Sequence, residues 1–283
     1  PNHVGALDSL SRGHSRLAAL KLTAGKIAEA IEPAKKSMEV DKRLAALMPD
    51  DEVMQLNVGI SLDSVASVLA RARRLDEAVS LSEESIAQTK AVLVRHPQSL
   101  NGLRSAAFFN VTRAALARQA GDLDRAVSAI EEAQRYGAEL LAIEPQDSQG
   151  RQALGLAEVQ TGRAEQTYQR LQALGPAALE ADMIDVYALS MVFTSRWAEV
   201  LLLVAKAPAT TRKMICILGA LAAAQRSDAQ RSAELAAEAA RAGPAQLRWP
   251  IDVLSAKLEH PVDPLQSRAW ALARQIDAAE RKA

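Results

Sequence analysis

Apolar residues recur along this chain at helical spacing, in paired runs separated by short polar breaks. Between residues 57 and 73 they fall at Val58, Leu62, Val65, Ala66, Val68 and Leu69, the pattern of a helix with one buried face. Arg73-Arg74-Leu75-Asp76 interrupts the pattern, and Asp76 is placed to cap the next helix. A second amphipathic run from Glu77 to Arg95 carries Ala78, Val79, Ile86, Leu93 and Val94. It should end at His96-Pro97, because a residue before proline avoids the helical region.

The same hairpin is predicted on either side. Downstream, Leu103 to Ala120 is one helix, Gly121-Asp122-Leu123-Asp124 the turn, and Arg125 to Ile143 the second helix, closed by Glu144-Pro145. Upstream, Leu10 to Ala24 precedes a turn at Gly25-Lys26, and Ile27 to Leu47 comes after it, closed by Met48-Pro49. Pro33 falls inside that helix and should kink it or delay its start, since an interior proline costs about 3 kcal/mol.

These three hairpins keep a strict period. Pro49, Pro97 and Pro145 are 48 residues apart, as are Ala18, Ala66 and Ala114, and Ala30, Ala78 and Ala126. Ile31, Val79 and Val127 keep the spacing, as do Leu20, Val68 and Leu116, and Leu44, Val92 and Leu140. A fixed period over three copies is the mark of a helical-repeat architecture, in which function lies on an extended surface rather than in a catalytic cleft.

Past Pro145 the period is lost and the pattern continues. A fourth hairpin is expected over 149–174, a fifth over 179–207 with helices from Leu179 to Thr194 and Trp197 to Ala207, and a sixth over 212–242 ending at Gly243-Pro244. Two terminal helices, 250–258 and 264–282, flank a proline-rich stretch at 260–264. The expected organisation is one continuous solenoid: regular hairpins over 1–145, two shorter ones over 146–208, and a degenerate hairpin with capping helices over 209–283.

Composition narrows the partners. Of the 283 residues 49% are apolar and 3% aromatic, with Ala and Leu abundant, which fits an all-helical chain. Lys plus Arg is 34 and Asp plus Glu is 34, so no cationic excess favours nucleic acid. The longest apolar run, Met214 to Ala224, is shorter than the roughly 20 residues a membrane span needs, so no membrane insertion is expected. Cys216 lies in that run and reads as a buried thiol. No signal peptide opens the sequence, which favours the cytoplasm unless this is the extracytoplasmic part of a longer chain. A start at Pro1 rather than Met suits a processed protein or an excised piece.

The hairpins resemble tetratricopeptide repeats. The turns Gly25-Lys26, Arg73-Arg74, Gly121-Asp122, Gly162-Arg163 and Ser195-Arg196 stand at the family's Gly-Asp turn. The turn-following alanines are Ala30, Ala78 and Ala126, with Thr167 and Val200 in the later copies. The small residue of each first helix is Ala18, Ala66, Ala114, Gly155 and Ala188. The family's large aromatics are replaced by Ala34, Ser82, Ile130, Leu171 and Val204, and its usual period is 34 residues rather than 48. The long period resembles arrays appended to bacterial signalling proteins such as serine/threonine kinases. The resemblance implies an all-α, right-handed α-α superhelix of about six hairpins plus C-terminal helices.

Chemistry of other kinds is thinly represented. There is no glycine-rich phosphate loop and no Gly-x-Ser-x-Gly elbow. His3, His14, His96 and His260 are far apart and form no metal-binding pair; His96 and His260, each before a proline at a helix end, suit capping or solvated roles. Asp50-Asp51-Glu52 sits in a loop where it can cap the next helix, and the acid pairs Glu83-Glu84 and Glu131-Glu132 read as solvated helix faces. Neither an active site nor a cofactor or metal is expected.

By resemblance, the first helix of each hairpin lines the concave surface. The matching positions include Arg12, Arg16, Asp63, Ser67, Arg71, Phe108, Thr112, Arg118, Gln119, Gln149 and Gln152. Arginines there could clamp a carboxylate in two-pronged fashion, which Asp63 would oppose. Phe108 and Phe109 are adjacent and must point to different sides, one to the core and one to a contact. The expected function is therefore a protein-interaction module holding a peptide or protein segment in the groove. The alternative is a regulatory region of a larger signalling enzyme encoded upstream of Pro1, and a third partner class is self-association through the solenoid ends.

Overall fold

The computed structural model describes residues 3–175, 178, 183–209 and 211–241, and every regular element among them is helical. The chain divides into two compact units, Pro1–Leu154 and Gly155–Ala283. The first unit holds α1 (Val4–Thr23), α2 (Ile27–Leu47), α3 (Glu52–Arg71), α4 (Leu75–Arg95), α5 (Leu100–Gln119), α6 (Leu123–Ile143) and the start of α7 (Ser148–Gln160). The second holds the rest of α7, then α8 (Ala164–Gln172), α9 (Ile184–Phe193), α10 (Trp197–Val204), α11 (Arg212–Gln225) and α12 (Ala229–Arg241). The expected terminal helices, the proline-rich stretch with His260, the closure at Gly243-Pro244 and positions 179–182 lie outside the described residues.

The proline period has a local cause. Met48, His96 and Glu144 end α2, α4 and α6 in an extended-side conformation, with φ of −131°, −129° and −126°. Two residues after each proline stands a helix cap. Asp51 accepts from the Met54 amide at 3.0 Å, Ser99 from Gly102 at 2.8 Å, and Asp147 from Gly150 at 2.6 Å. His3, in the same register, caps α1 through Nδ1. Each cap satisfies an amide that the first helical turn leaves free. The first helices therefore begin earlier than periodicity alone indicated: at residues 4, 52 and 100 rather than 10, 57 and 103.

Turns inside the hairpins repeat as closely. Gly25, Arg73 and Gly121 adopt positive φ of 74°, 66° and 81°. The next amides, on Lys26, Arg74 and Asp122, donate back to Lys21, Leu69 and Ala117, each at 2.9 Å. This is the six-residue closure that ends helices in the left-handed region. In the second hairpin it places α4's start at Leu75, so Asp76 lies inside the first turn instead of capping it. In the first hairpin α2 begins at Ile27, so Pro33 does not delay it.

The alanine columns are the core of the first unit. Ala18, Ala66, Ala114, Ala30, Ala78 and Ala126 are all buried, as are Leu44, Val92 and Leu140. Short side chains at these positions let neighbouring helices approach closely. A polar seam runs beside them in the first hairpin, where Ser11 donates to Asp41 at 2.5 Å and exchanges a hydrogen bond with Ser37. One period on, Ser85 donates to the Gly59 carbonyl and Thr89 to the Ser85 carbonyl. Helix α3 is long and apolar enough to cross a membrane, yet 56% of its apolar window is buried inside the protein.

In the second unit, α9 and α11 are buried nearly throughout and pack with α8, α10 and α12. Thr167 and Val200, the substitutes for the turn-following alanine, are fully buried. Tyr168 and Tyr187 stack with centroids 5.6 Å apart, and the Arg196 guanidinium lies 3.9 Å above the Tyr168 ring. The Tyr168 hydroxyl donates to Glu199 at 2.6 Å; burial first, then this carboxylate, push its pKa up to about 12.

Candidate functional site

The first turns created by the caps build a concavity. A cavity of about 410 Å3 opens between Val53, Leu56, Asn57 and Ile60 of α3, Asn101, Arg104, Ser105, Phe108 and Phe109 of α5, and Gln149 of α7. Its walls are of two kinds. Val53 and Ile60 are large apolar side chains left exposed, and Phe108 is half-buried beside them. Asn57, Asn101, Ser105 and Gln149 supply neutral donors and acceptors.

Its cation is already compensated. Arg104 donates to Asn101 Oδ1 at 2.6 Å and forms an ion pair with Asp147. Burial pushes the Asp147 carboxyl up, but Arg104 and the backbone amides of Gly150 and Gln149 outweigh it and hold the carboxyl below its ordinary range. The pair thus fixes the start of α7 against α5 and neutralises the rim. Among the described residues no cluster of His, Cys, Asp and Glu is arranged to hold a metal ion.

The predicted groove residues are dispersed around this cavity. Phe108 and Gln149 line it, while Phe109 beside Phe108 is buried at its base. Arg12 is exposed and pairs with Asp8 one turn earlier on α1; Arg16 is exposed on the same helix. Asp63, Ser67 and Arg71 follow at four-residue spacing on α3, each half-buried. Thr112, Arg118 and Gln119 are half-buried on α5, and Gln152 is half-buried on α7.

Two of these are electrostatically unusual. Asp63 keeps part of its surface toward solvent, but its Oδ1 is sealed and accepts no hydrogen bond. Desolvation pushes its pKa up to about 7. Burial also lowers the Arg71 pKa, disfavouring its charged form.

Val53, Leu56, Asn101 and their neighbours escaped sequence reasoning because the helices were started too late. The signal was present: Asp51 and Ser99 stand two residues after their prolines at the 48-residue spacing. Read as caps, they extend α3 and α5 backward by one turn and bring these side chains onto the lining face.

The fold is that of a helical-repeat protein. No family model matches the sequence, and no curated protein matches it. Solved structures do. A tetratricopeptide repeat protein from Parabacteroides merdae superposes with a TM-score of 0.50 at 12% identity, over 95% of this chain and 93% of that one. A thermophilic tetratricopeptide repeat protein of Thermus thermophilus is similar with a TM-score of 0.41 at 15% identity, over 88% of this chain and 99% of that one. The first likeness shows the fold: this chain folds as a tetratricopeptide-type helical repeat.

Proposed function

We propose that the first unit is a protein-interaction module that holds an extended peptide or protein segment along α3 and α5. The observation that carries this reading is the pairing of exposed apolar walls with neutral amides around Phe108. An apolar side chain of the segment enters the cavity, and Asn57, Asn101 and Gln149 satisfy its backbone. Arg71 ends α3 eleven residues beyond Ile60, which is about 16 Å at a helical rise of 1.5 Å per residue. An extended segment covers that distance in about five residues. An acidic side chain or terminal carboxylate five residues past the apolar anchor would reach Arg71, with Arg118 on the neighbouring helix.

The test is a panel of fluorescent peptides with one Leu or Phe anchor, with and without an acid five residues on. Phe108→Ala should weaken anchored peptides at least about tenfold, measured at a temperature where circular dichroism shows the variant still folded. Arg71→Ala should weaken only the acid-bearing peptides. Binding that is indifferent to Phe108→Ala removes this reading.

A further inference from the structure

Asp63 stands beside the cavity without a structural task. It follows Ile60, a wall of the cavity, by three residues of α3. Three residues are about 4.5 Å along the helix and return to nearly the same face. Being in mid-helix, it caps no helix end. The repeat does not require an acid here either, since its equivalents 48 residues before and after are Ser15 and Val111.

Other part-buried carboxylates of the first unit meet donors. Asp147 takes Arg104 and the Gly150 amide, Asp41 takes the Ser11 hydroxyl, and Glu132 takes Lys90. Asp63 differs from them. Its Oδ1 is sealed without a hydrogen bond, and no cation among the described residues offsets the burial that raises its pKa. Desolvation without compensation inside the chain is what a group shows when its partner arrives from outside.

We infer that Asp63 is a subsite for the ammonium group of a lysine carried by the bound segment, two residues past its apolar anchor. This rests on the reading of α3 and α5 as a peptide-binding surface, and adds the chemistry that selects among peptides. Two residues of extended chain advance about 6.6 Å and bring the side chain back to the anchor's side. The flexible lysine stem spans the difference from 4.5 Å. With Oδ1 sealed, the carboxylate offers at most one oxygen outward. That suits a single ammonium and cannot meet both prongs of a guanidinium. Arg71 lies eight residues beyond Asp63, about 12 Å along α3. It too is desolvated without an offsetting counter-charge. The face therefore presents a negative site near the anchor and a positive site beyond it, which fixes the direction in which a charged segment lies.

The probe is the N-acetylated peptide Leu-Ser-Lys-Ser-Ser-Ser-Gly-Gly with a C-terminal dye, compared with the same peptide carrying Nε-acetyllysine in place of lysine. Both are titrated against the full chain by fluorescence anisotropy at pH 8, above the Asp63 pKa of about 7. The lysine peptide should bind about fivefold more tightly, the scale of one partly desolvated ion pair. Asp63→Asn keeps the shape and removes the charge, and should bring the two affinities together. Lysine moved to the fifth position past the anchor, opposite Arg71, should lose the gain. Equal affinities for the wild-type chain, or a lysine preference that survives either change, overturn the subsite. The acetyllysine peptide reads the anchor by itself: where it binds and is weakened by Phe108→Ala, the peptide-binding reading stands whatever the lysine does, and where neither peptide binds, both assignments fall.

Discussion

Arg104 and Asp147 join the wall of the cavity to the helix cap that starts α7. One Asp147 oxygen takes the Gly150 amide at 2.6 Å while the other takes the Arg104 guanidinium. A single carboxylate therefore sets both the geometry of the third junction and the charge at the rim.

Removing it should separate those roles. Asp147→Ala loses the cap and leaves a part-buried Arg104 without its counterion, and should cost about 1–2 kcal/mol of stability in urea unfolding at pH 7. Asp147→Asn keeps a good capping side chain and should cost about half as much. Because the folded carboxyl is held below its unfolded pKa, its stabilisation is present above the ordinary value of 3.8 and fades as pH falls below it. The difference between wild type and Asp147→Asn should accordingly shrink as pH falls below 3.8.

Asp63 should give the opposite pH dependence. Its carboxyl is protonated more readily in the folded chain, with a pKa pushed up from 3.8 to about 7. Folding thus takes up a proton across that window, and wild-type stability should decline as pH rises through it. Asp41 acts with the same sign: burial raises its pKa, opposed by hydrogen bonds from Ser11 and Ser61. Asp63→Asn removes the larger part of this slope and should gain about 1–2 kcal/mol at pH 8, where the wild-type carboxylate is ionised with Oδ1 sealed. Unfolding midpoints at pH 4 and pH 8 decide it; a variant less stable than wild type at pH 8 contradicts the assignment.

Much of the fold was written in the sequence because each repeated residue had one physical job. The prolines stop second helices, the alanines let helices approach, and Leu44, Val92 and Leu140 fill the same internal position. Helix starts were only partly legible: the Asp50-Asp51-Glu52 loop signals a cap, but Ser99 and His3 act through hydrogen bonds rather than hydrophobic spacing. The cavity was least legible. It needs side chains from α3, α5 and α7 to converge, and among the anticipated groove residues Phe108 and Gln149 line it. Exposure of Leu20 likewise contradicts its place in the apolar pattern, because the pattern describes a column and α1 is the member of that column without a covering hairpin among the described residues.

Arg73 occupies a turn position where the equivalent residues in the other two regular hairpins are Gly25 and Gly121, and all three have positive φ. A side chain in that region costs about 1 kcal/mol relative to glycine. The greater freedom of glycine in the unfolded chain offsets part of this. Arg73→Gly should therefore stabilise by about 0.5 kcal/mol, raising the Tm by about 1–2 °C. Since Arg73 is exposed, no lost packing opposes the gain. A lowered Tm in calorimetry would show that the turn does not hold this conformation.

Two glycine substitutions inside helices should have opposite signs. Gly13 lies within α1, and a Cβ added there meets nothing within 4 Å. Gly13→Ala should show the helix-propensity gain alone, about 1 kcal/mol. Gly219 lies within α11, where an added Cβ would stand 2.6 Å from Val204 Cγ2 and 3.1 Å from Leu235 Cδ1. Val204 is β-branched and buried, and Leu235 is fully buried, so neither can swing away cheaply. The propensity gain of about 1 kcal/mol is then set against an overpacking cost of about 1–3 kcal/mol. Gly219→Ala should be destabilising on balance, by about 1 kcal/mol, with the loss confined to the second unit. Hydrogen exchange resolves this directly: faster exchange across α9 to α12 with α1 to α6 unaffected is the expected result, and an unchanged or slower rate there would mean that α10 and α12 yield to the added methyl group.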